Sequence, residues 1–405
     1  MTSAVATTAV MERTDGGGKT LPPDASGVRP GGGAIDLLLL SVRVRLHAAD
    51  PADLAPLQAV FGGFRSARHS ETDVDVRVER VRSARRVVST TASGRRDIMV
   101  PDLDVALDCA YATIMDEVGR RSEDAVCFHA ASLAHEGRGV VLVGPSRHGK
   151  TTLALALAAR GRDLLSDEVA VVDRSSGSLH PFPLAVGCRS ESLSLLESEG
   201  WVPPGAVLLR SRRKTWLAPS ALTRPLPVGD VFVIARQAGT AEGRHATFRV
   251  RIDGPAAELV PEIARIEGLI DCSADADPCW LRMVVERGSW VADRVESVVA
   301  ERGRVVLAVE DLDSRPADFG RPPEVERIGA GAGVAGLLRQ LRGFGAVVAW
   351  TTDRPGGFAD IFRCFATQLA GARFWRLRPG PLGDTVRQVE RTVASPPSPT
   401  RPDQK

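Results

Sequence analysis

An α/β fold is predicted from three adjacent stretches. GVVLV (139–143) is a short run apolar throughout, GPSRHGKT (144–151) is a glycine-bearing loop, and TTLALALAA (151–159) is a helix that needs cover on more than one face. A buried strand, a glycine loop and a buried helix in that order begin a layered α/β core. The 405 residues exceed what one small core organises, so two or three packing units are expected.

The remaining elements arrange themselves around that segment. Residues 1–33 carry GGG twice with little apolar material and read as a flexible tail. Residues 34–122 form an α+β unit: VRVRL (42–46) and VDVRVERV (74–81) alternate as half-exposed strands do, and LDVALDCAYATIMDEV (103–118) has helical spacing. Residues 123–237 are the core, in which VAVVD (169–173) and VFVIA (231–235) supply further strands separated by proline-rich turns. Residues 238–394 read as a C-terminal α/β extension. Its helices are LVPEIARIEGLI (259–270) and SWVADRVESVVA (289–300), its buried strands RVVLAVED (304–311) and AVVAWTTD (346–353), and PADFGRPPEVERIGAGAG (316–333) reads as a loop. SPPSPTRPDQK (395–405) is a polar tail.

Composition excludes some function classes. With 52 basic against 50 acidic side chains there is no electrostatic footprint for nucleic acid, and no apolar run is long enough to span a bilayer. The six cysteines have no zinc-ligand spacing, and the N-terminus has no signal-peptide pattern, so a cytoplasmic protein with reduced thiols is expected.

Gly144 to Thr151 fits GxxxxGK[ST]. Glycines let successive N–H groups point at phosphate oxygens, and the helix that follows aims its positive end at them. The expected nucleotide-binding set is Gly144, Ser146, Arg147, His148, Gly149, Lys150, Thr151 and Thr152. ATP and Mg²⁺ are the implied cofactors, with Lys150 on the β and γ phosphates and the Thr151 hydroxyl on the metal. Asp167 and Glu168 follow at the end of what reads as the next parallel strand, where ligands gather in α/β sheets. Successive residues of a straight strand face opposite sides. If both acids serve one site the chain bends there, or one approaches Mg²⁺ and the other an acceptor. His129, upstream of the loop, reads by itself as a hydrogen-bonded structural histidine.

The His129 segment, GPSRHGKT, the Ala-Arg-Gly at 159–161 and LLSDE together resemble the HPr kinase/phosphorylase family, which shares a core with phosphoenolpyruvate carboxykinase. KTWLAPSAL (214–222) and the strand after it resemble the later core of kinase-like relatives found beside peptide-modifying enzymes. The resemblance implies an ATP- and Mg²⁺-dependent kinase that transfers a phosphoryl group to a hydroxyl, most plausibly serine, of a protein or peptide. It further implies that Asp167 is the general base, that Glu168 helps hold the metal, that His129 supports the acid, and that the protein can form a homo-oligomer. Arg147 stands where the family usually has glycine, and Glu168 where it usually has aspartate. The family's phosphorylase signature is absent, so neither reversal nor an HPr substrate is expected.

Two other readings stay open. In a P-loop motor or regulatory ATPase, Asp311 or Glu310 at the end of VVLAVEDLD (305–313) would serve the metal and water, leaving Asp167 structural. A catalytically inactive relative would bind nucleotide or peptide as a scaffold. The basic run RSRRK (210–214) reads as a solvated surface, with phosphate or acidic-substrate contact by Arg212, Arg213 or Lys214 as the alternative.

Overall fold

A computed structural model describes residues 33–67, 71–92, 94–100, 102–122, 124–144, 148–202, 206–211, 214–218, 224–235, 245–252, 256–275, 280–286, 295, 298–299, 302, 306–311, 320–338 and 357–395. The described residues form a mixed α/β structure with four sheets. They fall into two compact units, one drawn from 1–121 and 238–316, the other from 122–237 and 317–405. None of the described helices is long and apolar enough to cross a membrane.

The first unit opens with a five-stranded sheet in sequential order: β1 (Gly33–Leu39), β2 (Val42–Ala48), β3 (Val74–Val81), β4 (Ala84–Thr91) and β5 (Gly94–Val100). Val42, Val44 and Leu46 are buried while the intervening Arg43, Arg45 and His47 are half-buried, which is the two-residue alternation expected of VRVRL. β2 and β3 run parallel, and α1 (Pro51–Phe61) lies on the crossover between them. Asp50 starts α1 by accepting a hydrogen bond from the Ala52 N–H at 2.9 Å. α2 (Leu103–Arg121) follows, as its spacing predicts.

The second unit is built on β6 (Ala125–Phe128), β7 (Ala130–His135), β8 (Arg138–Val143), β9 (Asp163–Ser166), β10 (Ala170–Asp173) and β11 (Ser178–His180), with α3 (Lys150–Ala159) between β8 and β9. β12 (Val186–Cys188), β13 (Val207–Arg210) and β14 (Thr215–Leu217) make a separate sheet in the order β12-β14-β13, and α4 (Ser190–Ser198) follows β12. β15 (Leu226–Ile234) returns to the main sheet, whose order is β6-β10-β11-β15-β8-β7-β9.

The expected single extension over 238–394 is divided. β16 (His245–Ile252), β17 (Leu269–Ala274), β18 (Trp280–Glu286) and β19 (Val306–Asp311) form a four-stranded sheet, ordered β17-β18-β16-β19, within the first unit. The helix expected over 259–270 is only one turn, α5 (Val260–Ile263). Leu259, Ile263 and Ile266 are all buried, as helical spacing demands, but Gly268 at φ 88° turns the chain and Leu269 begins β17. The helix expected at 289–300 and the strand at 346–353 lie largely or wholly outside the described residues.

The remaining elements, β20 (Glu324–Arg327), α6 (Ala330–Leu338), α7 (Gly357–Gln368), β21 (Arg373–Arg378) and α8 (Leu382–Ala394), belong to the second unit. β21 pairs parallel to β15, and β20 pairs antiparallel to β21. The glycine-rich stretch to residue 333, expected as a loop, thus contains a strand and the start of a helix. A Cβ on Gly333 would come 2.1 Å from Phe374, and one on Gly336 would come 2.9 Å from Val233. Those glycines are close-packing positions that let α6 lie against the sheet. Punctuation is the meaning the sequence suggests for them, and packing is the one they have.

The continuous apolar run of β8 is explained by this arrangement, because both faces of the sheet are covered. Val140 and Leu142 pack with Leu153, Ala154 and Leu157 of α3 and with Val386 and Val389 of α8. Val141 and Val143 pack on the other face with Val334 and Leu337 of α6 and Phe365 of α7.

One ion pair ties this unit together. Asp230, 2% exposed in the middle of β15, sits opposite Arg373 of β21 in the strand register. The Arg373 guanidinium donates to both Asp230 oxygens at 2.8 and 2.9 Å, and the Trp375 indole N–H donates to one of them at 2.8 Å. The same guanidinium donates to the Val393 carbonyl at 2.7 Å, closing the C-terminal end of α8. A buried pair so fully hydrogen-bonded is costly to break from one side. Asp230→Ala is expected to destabilise the second unit by about 3–5 kcal/mol in urea unfolding followed by tryptophan fluorescence. The double substitution Asp230→Ala with Arg373→Met is expected to lose clearly less than the sum of the two single changes.

Candidate active site

The site begins where β8 ends. β8, β15 and β21 are mutually parallel in the order β8-β15-β21, so their carboxyl ends share one edge of the sheet. Gly144, the first residue after β8, lies so close to β15 that a Cβ there would be 2.9 Å from the Ile234 carbonyl oxygen. Gly149 adopts φ 80°, a left-handed conformation, and no side chain caps the start of α3 behind it. The first N–H groups of α3 are therefore presented at the mouth of the loop, the arrangement that favours an anion. Ser146 and Arg147, both expected to contact nucleotide, lie outside the described residues. His148 is half-buried beside Gly149.

Lys150 is only 6% exposed. Its ammonium donates to the Gly144 carbonyl at 2.7 Å and meets His129 Nε2 at 3.2 Å. An ammonium only donates, so Nε2 accepts and the ring proton resides on Nδ1. Nδ1 faces Glu168 Oε2 at 3.4 Å. His129 therefore bridges the loop lysine and the second acid, rather than the first acid that the resemblance implies it supports. Thr152, included in the expected nucleotide-binding set, donates its hydroxyl to Ser192 of α4 at 2.9 Å. That bond joins the starts of α3 and α4.

Asp167 and Glu168 follow β9, which pairs antiparallel to β7. β7 is itself antiparallel to β8, so β9 runs in the same direction as β8, as expected of 164–165, with β7 interposed, and its carboxyl end lies at the sheet edge where β8 ends. The two acids occupy a bend, with the Val169 N–H donating to Ser166 Oγ at 3.3 Å. The bend answers the problem of two adjacent side chains serving one site, since neither is held to strand alternation.

Asp167 is 4% exposed, and the Thr151 hydroxyl beside it makes no hydrogen bond of ordinary geometry to either carboxylate oxygen. Burial, followed by the neighbouring Glu168 charge, pushes its carboxyl up to about 7. The Thr151 hydroxyl and the Lys150 and Lys214 charges pull the other way. Burial also pushes the Cys188 thiol on β12 up to about 12, with Asp167 the next contributor, which places that strand beside the acid.

Lys214 belongs to the basic run that reads in the sequence as a solvated surface. It stands on the turn between β13 and β14, where Ser211 Oγ accepts from the Lys214 N–H at 3.1 Å and the Ser211 N–H donates to the Lys214 carbonyl at 2.9 Å. Arg212 and Arg213 lie outside the described residues. The signal available was the apolar Thr-Trp-Leu directly after the basic run, which marks a buried strand and hence an anchored turn.

Asp311, the metal residue of the motor reading, ends β19, a strand of the separate four-stranded sheet. In a motor of that kind the acid-bearing strand belongs to the sheet that carries the phosphate loop, so the topology removes the support for that reading. No group of three or more His, Cys, Asp or Glu side chains converges as a metal site among the described residues.

A folded-state carboxyl at about 7, against 3.8 ordinarily, means that the folded chain retains a proton that the unfolded chain releases between those values. The contribution of Asp167 to stability is present below the lower value and is lost as pH rises through the upper one. Asp167→Asn is accordingly expected to melt higher than the wild type at pH 8, by about 2 °C or more, and to lose that advantage near pH 4 in thermal unfolding. An equal difference at both pH values would contradict a buried, protonation-sensitive acid.

No family model matches this chain, and no curated protein matches it. Among solved structures, the HPr(Ser) kinase/phosphatase from Coxiella burnetii aligns over 44% of this chain and 89% of that one, at 16% identity and a TM-score of 0.19. So loose an overlay is a similarity and carries no argument about fold or activity.

Proposed function

We propose that this protein is an ATP- and Mg²⁺-dependent kinase with an HPr kinase-like core, transferring the γ phosphoryl group to a hydroxyl, most plausibly serine, of a protein or peptide in the cytoplasm. The observation that carries the reading is Asp167: a buried carboxylate without a well-formed hydrogen bond, its carboxyl raised to about 7, beside Thr151 and Lys150 of the phosphate motif. A buried acid with a carboxyl raised toward neutrality beside a phosphate motif has the environment of a general base, which supports this reading.

In the proposed reaction the nucleotide's phosphates lie along the loop and the start of α3, and Lys150 exchanges the Gly144 carbonyl for phosphate oxygens. Asp167 orients the acceptor hydroxyl and takes its proton. The hydroxyl oxygen forms a bond to the γ phosphorus as the bond to the bridging oxygen breaks, and ADP leaves with the electron pair. His129, between Lys150 and Glu168, holds the cation and the second acid in register. The Thr151 hydroxyl and the Glu168 carboxylate are hard oxygen donors of the kind Mg²⁺ takes when phosphates and water complete its shell. Mg²⁺ supplies charge neutralisation on the phosphates when bound. A role in tailoring ribosomally made peptides rests on the resemblance of the sequence motifs alone.

The test is incubation with Mg-ATP and candidate serine peptides, following peptide mass and free phosphate together. A phosphate-sized gain on the peptide is expected, reduced about 10²–10⁴-fold in Asp167→Asn. The rate is expected to rise with pH and level off above about 7, as Asp167 loses its proton. Tight nucleotide binding with neither peptide phosphorylation nor phosphate release would replace the kinase with a scaffold. Phosphate release indifferent to Asp167→Asn would exclude Asp167 as the base.

A further inference from the structure

The turn between β13 and β14 delivers a charge to this site by a route separate from the phosphate loop. Three features seat the Lys214 side chain. Ser211 closes the turn from both directions, as the Lys214 N–H and carbonyl bonds describe. Gly187, paired with Trp216 in the β12–β14 register, leaves room for the stem: a Cβ there would lie 3.1 Å from Lys214 Cδ and 3.2 Å from the Trp216 ring. The ammonium rests over that ring, 5.3 Å from its centroid. β12 leads directly into α4, whose Ser192 bonds Thr152 of α3, so the small sheet is tethered to the phosphate-motif helix.

We propose that Lys214 is a second phosphate-binding cation of this site, engaging the terminal phosphoryl group of the bound nucleotide. The inference rests on the nucleotide-binding reading above and extends it to a residue outside the phosphate motif. Val186 and Cys188, which flank Gly187 on β12, and Leu217 of β14 share one buried cluster with Leu153 and Leu157 of α3, so the turn that carries Lys214 is packed beside the helix of the phosphate motif. A cation at that position meets the terminal phosphate, which ATP has and ADP lacks. Held by a glycine notch and an aromatic face, it is positioned before the nucleotide arrives, and little side-chain freedom is left to lose on binding.

The experiment is calorimetric titration of the full chain with Mg-ATP and with Mg-ADP, for the wild type, Lys214→Gln and Gly187→Ala. Lys214→Gln is expected to weaken ATP about tenfold and ADP less than about twofold, the loss of one charge-assisted contact. Gly187→Ala, which crowds the stem and keeps the charge, is expected to shift the ATP to ADP ratio in the same direction by less. Should Lys214→Gln fail to fold, Gly187→Ala carries the same comparison. An ATP to ADP ratio unchanged in the folded variants, with tight wild-type binding of both, would overturn the assignment of Lys214 and leave the nucleotide site standing. A wild type that binds neither nucleotide would overturn both.

Discussion

The Asp230–Arg373 pair is the constraint on which the second unit depends. A carboxylate in the middle of an apolar strand is unfavourable by itself, and β15 tolerates it because β21 brings a guanidinium to the opposing register position and an indole N–H beside it. Apolar residues alone would let β21 slide along β15, whereas a bidentate pair fits in one register. That register also sets where Arg373 meets the end of α8, and α8 in turn covers α3. The strand end from which the loop departs and the helix that receives it are thus held through a contact remote from both.

The site has the opposite character. Polar groups in the clamp are saturated, whereas Asp167 is buried without a well-formed hydrogen bond. The fold bears this locally unfavourable arrangement because the surrounding sheet and helices are packed on both faces. The chain separates what must be rigid, the β8–β15–β21 ladder, from what must remain chemically unsatisfied, the bend after β9. Function follows the unsatisfied part.

Local periodicity made much of this legible. β2, β3, α2, β8, α3 and β15 read directly from alternation or helical spacing, and the phosphate motif and acid pair were found because their residue types are dictated by chemistry at short spacing. What the sequence concealed is long-range. Nothing in RFWRLR says that it will lie beside VFVI, since a parallel pairing leaves no turn to mark it. The glycines of α6 carry the same letter whether they bend a loop or admit a neighbouring ring, and only the partner, Phe374, decides. Lys214 was hidden in a basic run for the same reason: its seat is made by Gly187, on another strand. That β7 lies between β8 and β9, two strands of the same direction, is likewise not encoded in local spacing.

The clamp has a consequence for synthesis. Asp230 and Arg373 are 143 positions apart. At ribosomal speeds the acid waits on the order of ten seconds for its partner to be made. During that interval a nascent chain already carrying the phosphate motif has no counter-charge for the middle of β15, so the parallel ladder has reason to stay open until the C-terminal segment emerges.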